Sequence, residues 1–246
     1  MFEKSQEDIV LKVPILNNNG ETLKYRLMTE EGKEPIAHQT HSINRKQEGD
    51  TEFYEISCLT EYVGGGSLEE TGIYKVNDVL TPFSYLKTVR GRSGSIVANE
   101  RTEYDGQFEF PLNTSMPSSA GMIIFRGGPF ITKGKFAFHF LMPPAGRPVK
   151  MWAEALNETI TVPAGTFECH KYKVMPDAKS MMEQMMPPGV AVPPGFETFM
   201  GSLFPPTHRW ISQIPPHYIV KAEGTIVSPV PFITPNPTIV ELVDID

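Results

Sequence analysis

The chain has 246 residues, of which 40% are hydrophobic and 21% are charged, and its formal net charge is −7. This composition excludes a globally disordered chain, and the acidic balance argues against binding to nucleic acid, whose phosphates attract basic patches. The N-terminus lacks a basic stretch followed by an apolar run, and no apolar run approaches the roughly 20 residues that cross a bilayer. We therefore expect a soluble protein with no signal peptide or transmembrane segment in this chain, periplasmic if it is the processed form of an exported protein.

Alternation of apolar and polar residues predicts short antiparallel strands throughout the first half of the chain. The runs 9–16 and 23–27 flank an Asn-Gly step, which predicts an opening hairpin. A strand that begins at Phe53 places Tyr54, Ile56 and Cys58 on one face. Further strands or short apolar runs are predicted at 37–43, 72–76, 81–89, 95–110, 122–125 and 136–141.

The second half of the chain continues the strand pattern. Met151 and its alternate neighbours begin a strand that runs to residue 162, and a Pro-Ala-Gly turn returns the chain through 166–174. Strands are also predicted at 208–212, 217–227 and 238–243. About a dozen strands at this spacing predict one all-β domain over residues 1–246, as an antiparallel half-open barrel or a strongly curved sheet with a short helical or loop lid.

Residues 178–206 depart from the strand pattern and predict two short amphipathic helices separated by Pro-Pro-Gly steps. The first would carry Met181, Met182, Met185 and Met186, and the second Phe196, Phe199 and Met200. Because methionine fits irregular apolar shapes, the segment could form an adaptable lid over a ligand. The alternatives are a segment that only caps the end of a barrel, a Cu(I) site made of thioethers, and a peripheral membrane contact.

No motif in the sequence identifies a reaction. Residues 91–95 are out of frame for a nucleophile elbow. His38 and His41 lie three residues apart but have no carboxylate cluster beside them that would complete a zinc site. Cys58 and Cys169 are too few for a disulfide framework, and we expect them to be free core residues. The sequence therefore predicts no catalytic residue, no metal and no cofactor.

Two hairpins resemble those of the DUF3108-like bacterial proteins, a group without an assigned activity. The stretch 158–172 reads ETITVPAGTFECHKY, and the later stretches 208–212 and 215–221 read HRWIS and PPHYIVK. The resemblance covers mainly residues 149–227. It implies a half-open antiparallel barrel similar to the lipoprotein carriers LolA and LolB, which present an apolar concavity to acyl chains, and it implies no catalytic residues.

Three functions follow as hypotheses. The first is a non-enzymatic protein that holds a lipid or another hydrophobic molecule in a β-cavity, with Tyr54, Ile56, Met151 and Trp210 in the wall and the methionines and phenylalanines of residues 178–206 as the lid. The second is a cavity enzyme of the cyclase or isomerase type, for which His208, Arg209 and Glu168 are the candidate polar groups. The third is a structural module for envelope interactions, which a filled interior would favour.

Overall fold

The described part of the chain folds into one open β-sheet of thirteen strands with a short α-helix and a 3-10 helix. The computed structural model describes residues 9–16, 20–29, 31, 34–104, 110–117, 119–131, 133–142, 147–185, 195–196, 205–225 and 237–246. The predicted all-β fold class is confirmed.

The strands, in chain order, are β1 (Gly20–Thr29), β2 (Ala37–Glu48), β3 (Thr51–Tyr62), β4 (Ser67–Val76), β5 (Leu80–Arg90), β6 (Ile96–Glu103), β7 (Thr114–Ser115), β8 (Lys135–Met142), β9 (Arg147–Val162), β10 (Gly165–Pro176), β11 (Thr207–Ser212), β12 (Ile219–Thr225) and β13 (Pro237–Ile245). The 3-10 helix (Ser119–Gly127) lies between β7 and β8, and α1 (Ala178–Met185) lies between β10 and β11.

Two six-stranded meanders make up most of the sheet. Strands β1 to β6 pair consecutively, as do β8 to β13, and the pairing of β1 with β13 joins the two series. Every neighbouring pair is antiparallel except β7 with β8. Strands β6 and β7 end the sheet on either side, so its hydrogen-bond ladder does not close into a barrel. The sheet nevertheless curls: β7, at one end of the strand order, packs against β5, which lies near the other end.

Period-two alternation gives the curled sheet a buried concave face. In β3, Tyr54, Ile56 and Cys58 are buried, whereas Glu55 and Ser57 between them are more exposed. The 3-10 helix packs against β3 and β4 of one meander and also against β12 of the other. An element that contacts both meanders must lie on the concave face, and its residues Ile123, Ile124 and Phe125 belong to the same buried cluster as Tyr54 and Ile56.

A second segment of the protein's own chain also lies on the concave face. Residues 9–16, which the sequence predicts as one strand of an opening hairpin, are irregular and pair with no strand in the structure, so that prediction is wrong. Instead the amide of Leu11 donates to Oδ1 of Asn113 at 2.8 Å, and the amide of Lys12 donates to the carbonyl of Gly127 at 3.0 Å. The Tyr54 hydroxyl, on the sheet, donates to the carbonyl of Pro14 at 3.1 Å.

We call residues 9–16 and the 3-10 helix together the plug. It is seated tightly: a Cβ added to Gly72 of β4 would lie 2.9 Å from Cβ of Ala120 in the 3-10 helix, and 2.8 Å from Sδ of Met116, which precedes that helix. A pocket beside the plug, lined in part by Leu11 and Leu80, has a volume of about 10 Å³, room for about one water molecule. The plugged part of the concave face is therefore filled by the protein itself.

Candidate functional site

Helix α1, which the sequence predicts as the first helix of the lid segment, packs against β9. Its side chains Met181 and Met182 are buried, with Met181 only 3% exposed. Met181 packs against Val149 of β9, and Met151 and Phe196 pack on the same small cluster. Since Met151 also packs on the main core cluster, this methionine cluster extends the apolar concave face beyond the plug.

Asp177 fixes α1 to the sheet. As the residue that precedes the helix, it accepts a hydrogen bond from the amide of Ser180 at 2.9 Å, the usual N-cap arrangement. Its other carboxylate oxygen accepts the indole N–H of Trp152 at 2.9 Å. The amide of Asp177 donates to the carbonyl of Lys150, and the Ser180 hydroxyl accepts the amide of Lys150. A helix of eight residues is too short to be stable alone, so these bonds and the buried methionines hold it in place.

The sequence-predicted wall residues fall into two groups. Tyr54 and Ile56 lie in the main cluster beneath the plug, and Met151 packs at the margin of that cluster. Trp210 belongs to a different cluster, whereas its neighbour Ile211 joins Tyr54 and Ile56. The structure therefore does not bring Trp210 together with the other three.

Three charged side chains surround the ring of Trp210. It is 2% exposed, and the ammonium groups of Lys171 and Lys221 lie 4.6 and 5.2 Å from the centre of its ring. Its indole N–H donates to Glu158 at 3.1 Å, and Glu158 also pairs with Lys171 at 2.7 Å. Through the hydrogen bond to Glu158 and the cation–π contacts with the two lysines, Trp210 on β11 links β9, β10 and β12.

The predicted lid is described only in part. Met181, Met182 and Phe196 are placed as above. Met186, Phe199 and Met200, together with the side chain of Met185, lie outside the described residues.

The three polar groups considered for a cavity enzyme are not assembled into one site. Glu168 is exposed, and His208 and Arg209 are adjacent on β11, where alternate residues point to opposite faces. Burial lowers the pKa of His208, and its ring lies 5.9 Å from that of Trp210. Arg209 is directed to the concave face, where its Nε donates to Sδ of Met122 in the plug at 3.2 Å.

A buried ion pair, which the sequence does not predict, joins the plug to the sheet. Arg126 of the 3-10 helix donates to the carboxylate of Glu21 on β1, and both side chains are 1% exposed. Arg126 also donates to the carbonyl of Pro216 from Nε at 3.2 Å and from Nη2 at 3.1 Å, and its guanidinium lies 5.3 Å from the centre of the Tyr218 ring. Each nitrogen of the Arg126 guanidinium therefore donates at least one hydrogen bond, as a buried charge requires.

His41 and Cys58 lie directly opposite each other on β2 and β3, and Cys58 is in turn opposite Glu70 of β4. All three are buried, while His38 is exposed, so the two histidines do not act together. Desolvation lowers the pKa of His41 to about 4, which keeps the imidazole neutral at physiological pH. Among the described residues, no group of three or more His, Cys, Asp or Glu side chains is arranged to hold a metal ion.

Comparison with known proteins adds little to this geometry. No protein-family model matches the chain. No curated protein matches it at a significant level. A solved structure from Bacteroides fragilis, a protein inferred to be exported and with a YmcC-like fold, covers 97% of this chain and 100% of its own at 11% identity and a TM-score of 0.35. The resemblance to DUF3108-like proteins therefore stays a prediction. None of the helices in the described ranges has the length and apolar character needed to cross a membrane.

Proposed function

We propose that the protein is a non-enzymatic binding protein that holds a lipid acyl chain or another apolar molecule at the methionine cluster, beneath α1. The observation that carries the proposal is the packing of Met181 on Val149 with Met151 and Phe196 around them. Unbranched, polarizable side chains can repack around different apolar shapes, as surfaces that bind several partners do. The site lies beside the plug rather than in a central cavity, because the plug occupies that position.

Helix α1 is suited to move as a lid. Among the described residues, its hydrogen bonds to the sheet are all at its N-terminal end, through Asp177 and Ser180, and beyond that end only the buried Met181 and Met182 are seen to hold it. The plug is held by a buried ion pair and by hydrogen bonds from both of its segments. Elements with few buried contacts open at lower free energy than the core. An apolar molecule that replaces Met181 against Val149 would therefore enter without unfolding the sheet.

Native mass spectrometry of the purified protein, followed by organic extraction, tests the proposal. We expect co-purified lipid, or uptake of added fatty acid, and a loss of at least tenfold in affinity in the variant Met181→Ala. The matched control is Met28→Ala, which removes the same side chain from a similarly buried position on β1. A protein that carries no lipid and takes up none would refute the proposal, as would equal loss in both variants.

The filled concave face favours a second function, a structural module that interacts with other envelope components. The packing of Ala120, Ile123 and Ile124 against Tyr54 and Ile56 supports it, since a sheet that fills its own concavity needs no ligand there. The same mass spectrometry separates the two functions, because the structural module is expected to remain free of lipid.

A further inference from the structure

Two arginine side chains lie against the concave face, and within the described residues they differ in one respect. Arg126 has the carboxylate of Glu21 as its counter-ion. Arg209 pairs with no carboxylate in the part of the chain that the structure describes. Its Nη1 donates to the carbonyls of His208 at 2.8 Å and Glu223 at 3.3 Å, and its Nε faces the sulfur of Met122.

These partners of Arg209 satisfy hydrogen bonds but supply no negative charge. Nη2 has no hydrogen-bond partner among the described residues, so one side of the planar guanidinium fork remains open. Burial lowers the pKa of Arg209 to about 10, and the group is still charged at neutral pH. A partly desolvated cation without a counter-ion is unfavourable, and an anion bound at the open side would remove that cost.

The position of Arg209 relates it to the methionine cluster. Arg209 on β11 lies opposite Tyr172 on β10, and Tyr172 lies opposite Ala155 on β9. Met151 is on the same face of β9, four residues before Ala155. Sheet spacings place the two positions about 13 Å apart along the strands and about 10 Å apart across them, or roughly 16 Å in all. The positions between them on this face, Tyr172, Val174 and Ala153, are buried, so an elongated molecule that contacts both would displace the side chains that cover them.

We propose that Arg209 binds the anionic head group, a carboxylate or a phosphate, of an amphipathic ligand whose apolar tail lies toward Met151 and Met181. This inference rests on the proposed function and names its ligand class. Arginine is suited to the task because its fork matches the two oxygens of a carboxylate or phosphate. The ligand is then a fatty acid or a lipid phosphate rather than a neutral hydrocarbon.

Binding of three ligands with similar tails tests the inference: laurate, dodecyl phosphate and dodecanol, each titrated calorimetrically, the two anions below their micelle concentrations and the alcohol below its solubility limit. We expect the protein to bind the two anions about ten- to a hundredfold more tightly than the alcohol, the usual contribution of a charge-assisted hydrogen bond. The variant Arg209→Gln is expected to lose that preference and to bind dodecanol as before. The exposed Arg45 gives the matched control, Arg45→Gln, which should retain it.

The outcomes distinguish the head-group site at Arg209 from the apolar site at the methionine cluster. Equal binding of anions and alcohol by the unaltered protein, or an anion preference that survives Arg209→Gln, would overturn the head-group site and leave the apolar site standing. Binding of none of the three ligands would overturn both. If Arg209→Gln does not fold, Arg209→Lys keeps the charge without the fork and should lose part of the preference; no loss would count against the inference. The tighter of the two anions identifies carboxylate or phosphate as the head group.

Discussion

The buried pair of Arg126 and Glu21 gives the strongest prediction about stability. In the variant Arg126→Met, the Glu21 carboxylate, 1% exposed, loses its guanidinium partner while it remains inside the protein. Removal of one member of a buried pair typically costs about 3–5 kcal/mol, because the remaining charge is desolvated and uncompensated. That is a large part of the roughly 5–15 kcal/mol that stabilises a typical domain.

Urea unfolding, followed by circular dichroism, measures this effect. With a denaturant slope of about 3 kcal/mol per molar, the unfolding midpoint of Arg126→Met should fall by about 1 to 1.7 M. The double variant Arg126→Met with Glu21→Met removes both charges, and its midpoint should return most of the way to that of the unaltered protein. Arg45→Met, which breaks an exposed pair with Glu52, is the control and should change the midpoint little. A double variant as unstable as the single one would refute the reasoning, since the loss would then come from packing.

Three further outcomes are expected. Burial lowers the pKa of His41 to about 4 in the folded protein, against about 6.5 when unfolded. The free energy of unfolding should therefore be highest above pH 6.5 and fall by up to about 3 kcal/mol as the pH drops toward 4. In urea titrations at pH 7.5 and 4.5, His41→Gln should reduce this loss and the control His38→Gln should not. Gly72→Ala should cost about 1–3 kcal/mol in the same unfolding assay, because its Cβ would press on the plug, whereas Gly64→Ala, whose Cβ would meet its nearest atom at 3.6 Å, should be nearly neutral. Ellman's reagent should leave both free cysteines unmodified in the native protein and react with both in guanidinium, since both are buried and burial raises the pKa of Cys169 to about 12; rapid labelling of the native protein would show that the core opens readily.

Local patterns in the sequence predict the elements that depend on near neighbours. The alternation of Tyr54, Ile56 and Cys58 correctly gives the buried face of β3, and the methionine spacing correctly gives α1. In both cases the period of the pattern is itself the consequence of the structure, two residues in a strand and about 3.6 in a helix.

The plug could not be predicted from local patterns, because its partners are distant in sequence. Residues 9–16 read as a strand, yet their polar groups are met by Asn113 and Gly127, more than a hundred residues away. The pairing of Arg126 with Glu21 spans 105 residues. One signal was available: Arg126 stands at the end of the apolar run 122–125, and a charge beside a buried run needs a partner.

The wall of the site shows a related limit. Alternation says which residues of β11 share a face but not which face is concave, so the choice of Trp210 for the wall could not be checked from the sequence. The structure assigns the concave side to Ile211 and gives Trp210 to the charged surrounding of Lys171, Lys221 and Glu158. That choice depends on how the whole sheet curls, which local alternation does not determine.

The plug and the head-group site lead to a consistent account of where a ligand can bind. The plug already buries the apolar side chains over most of the concave face. The proposed apolar ligand would therefore bury most surface where the sheet continues past the plug, at Val149 and Met151. The two interior arginines divide in the same way. Arg126, within the plug, has its counter-ion inside the protein, and its role is structural. Arg209 contacts the plug at Met122 and has one side of its fork unused, so the proposed ligand would complete the site with its own negative charge.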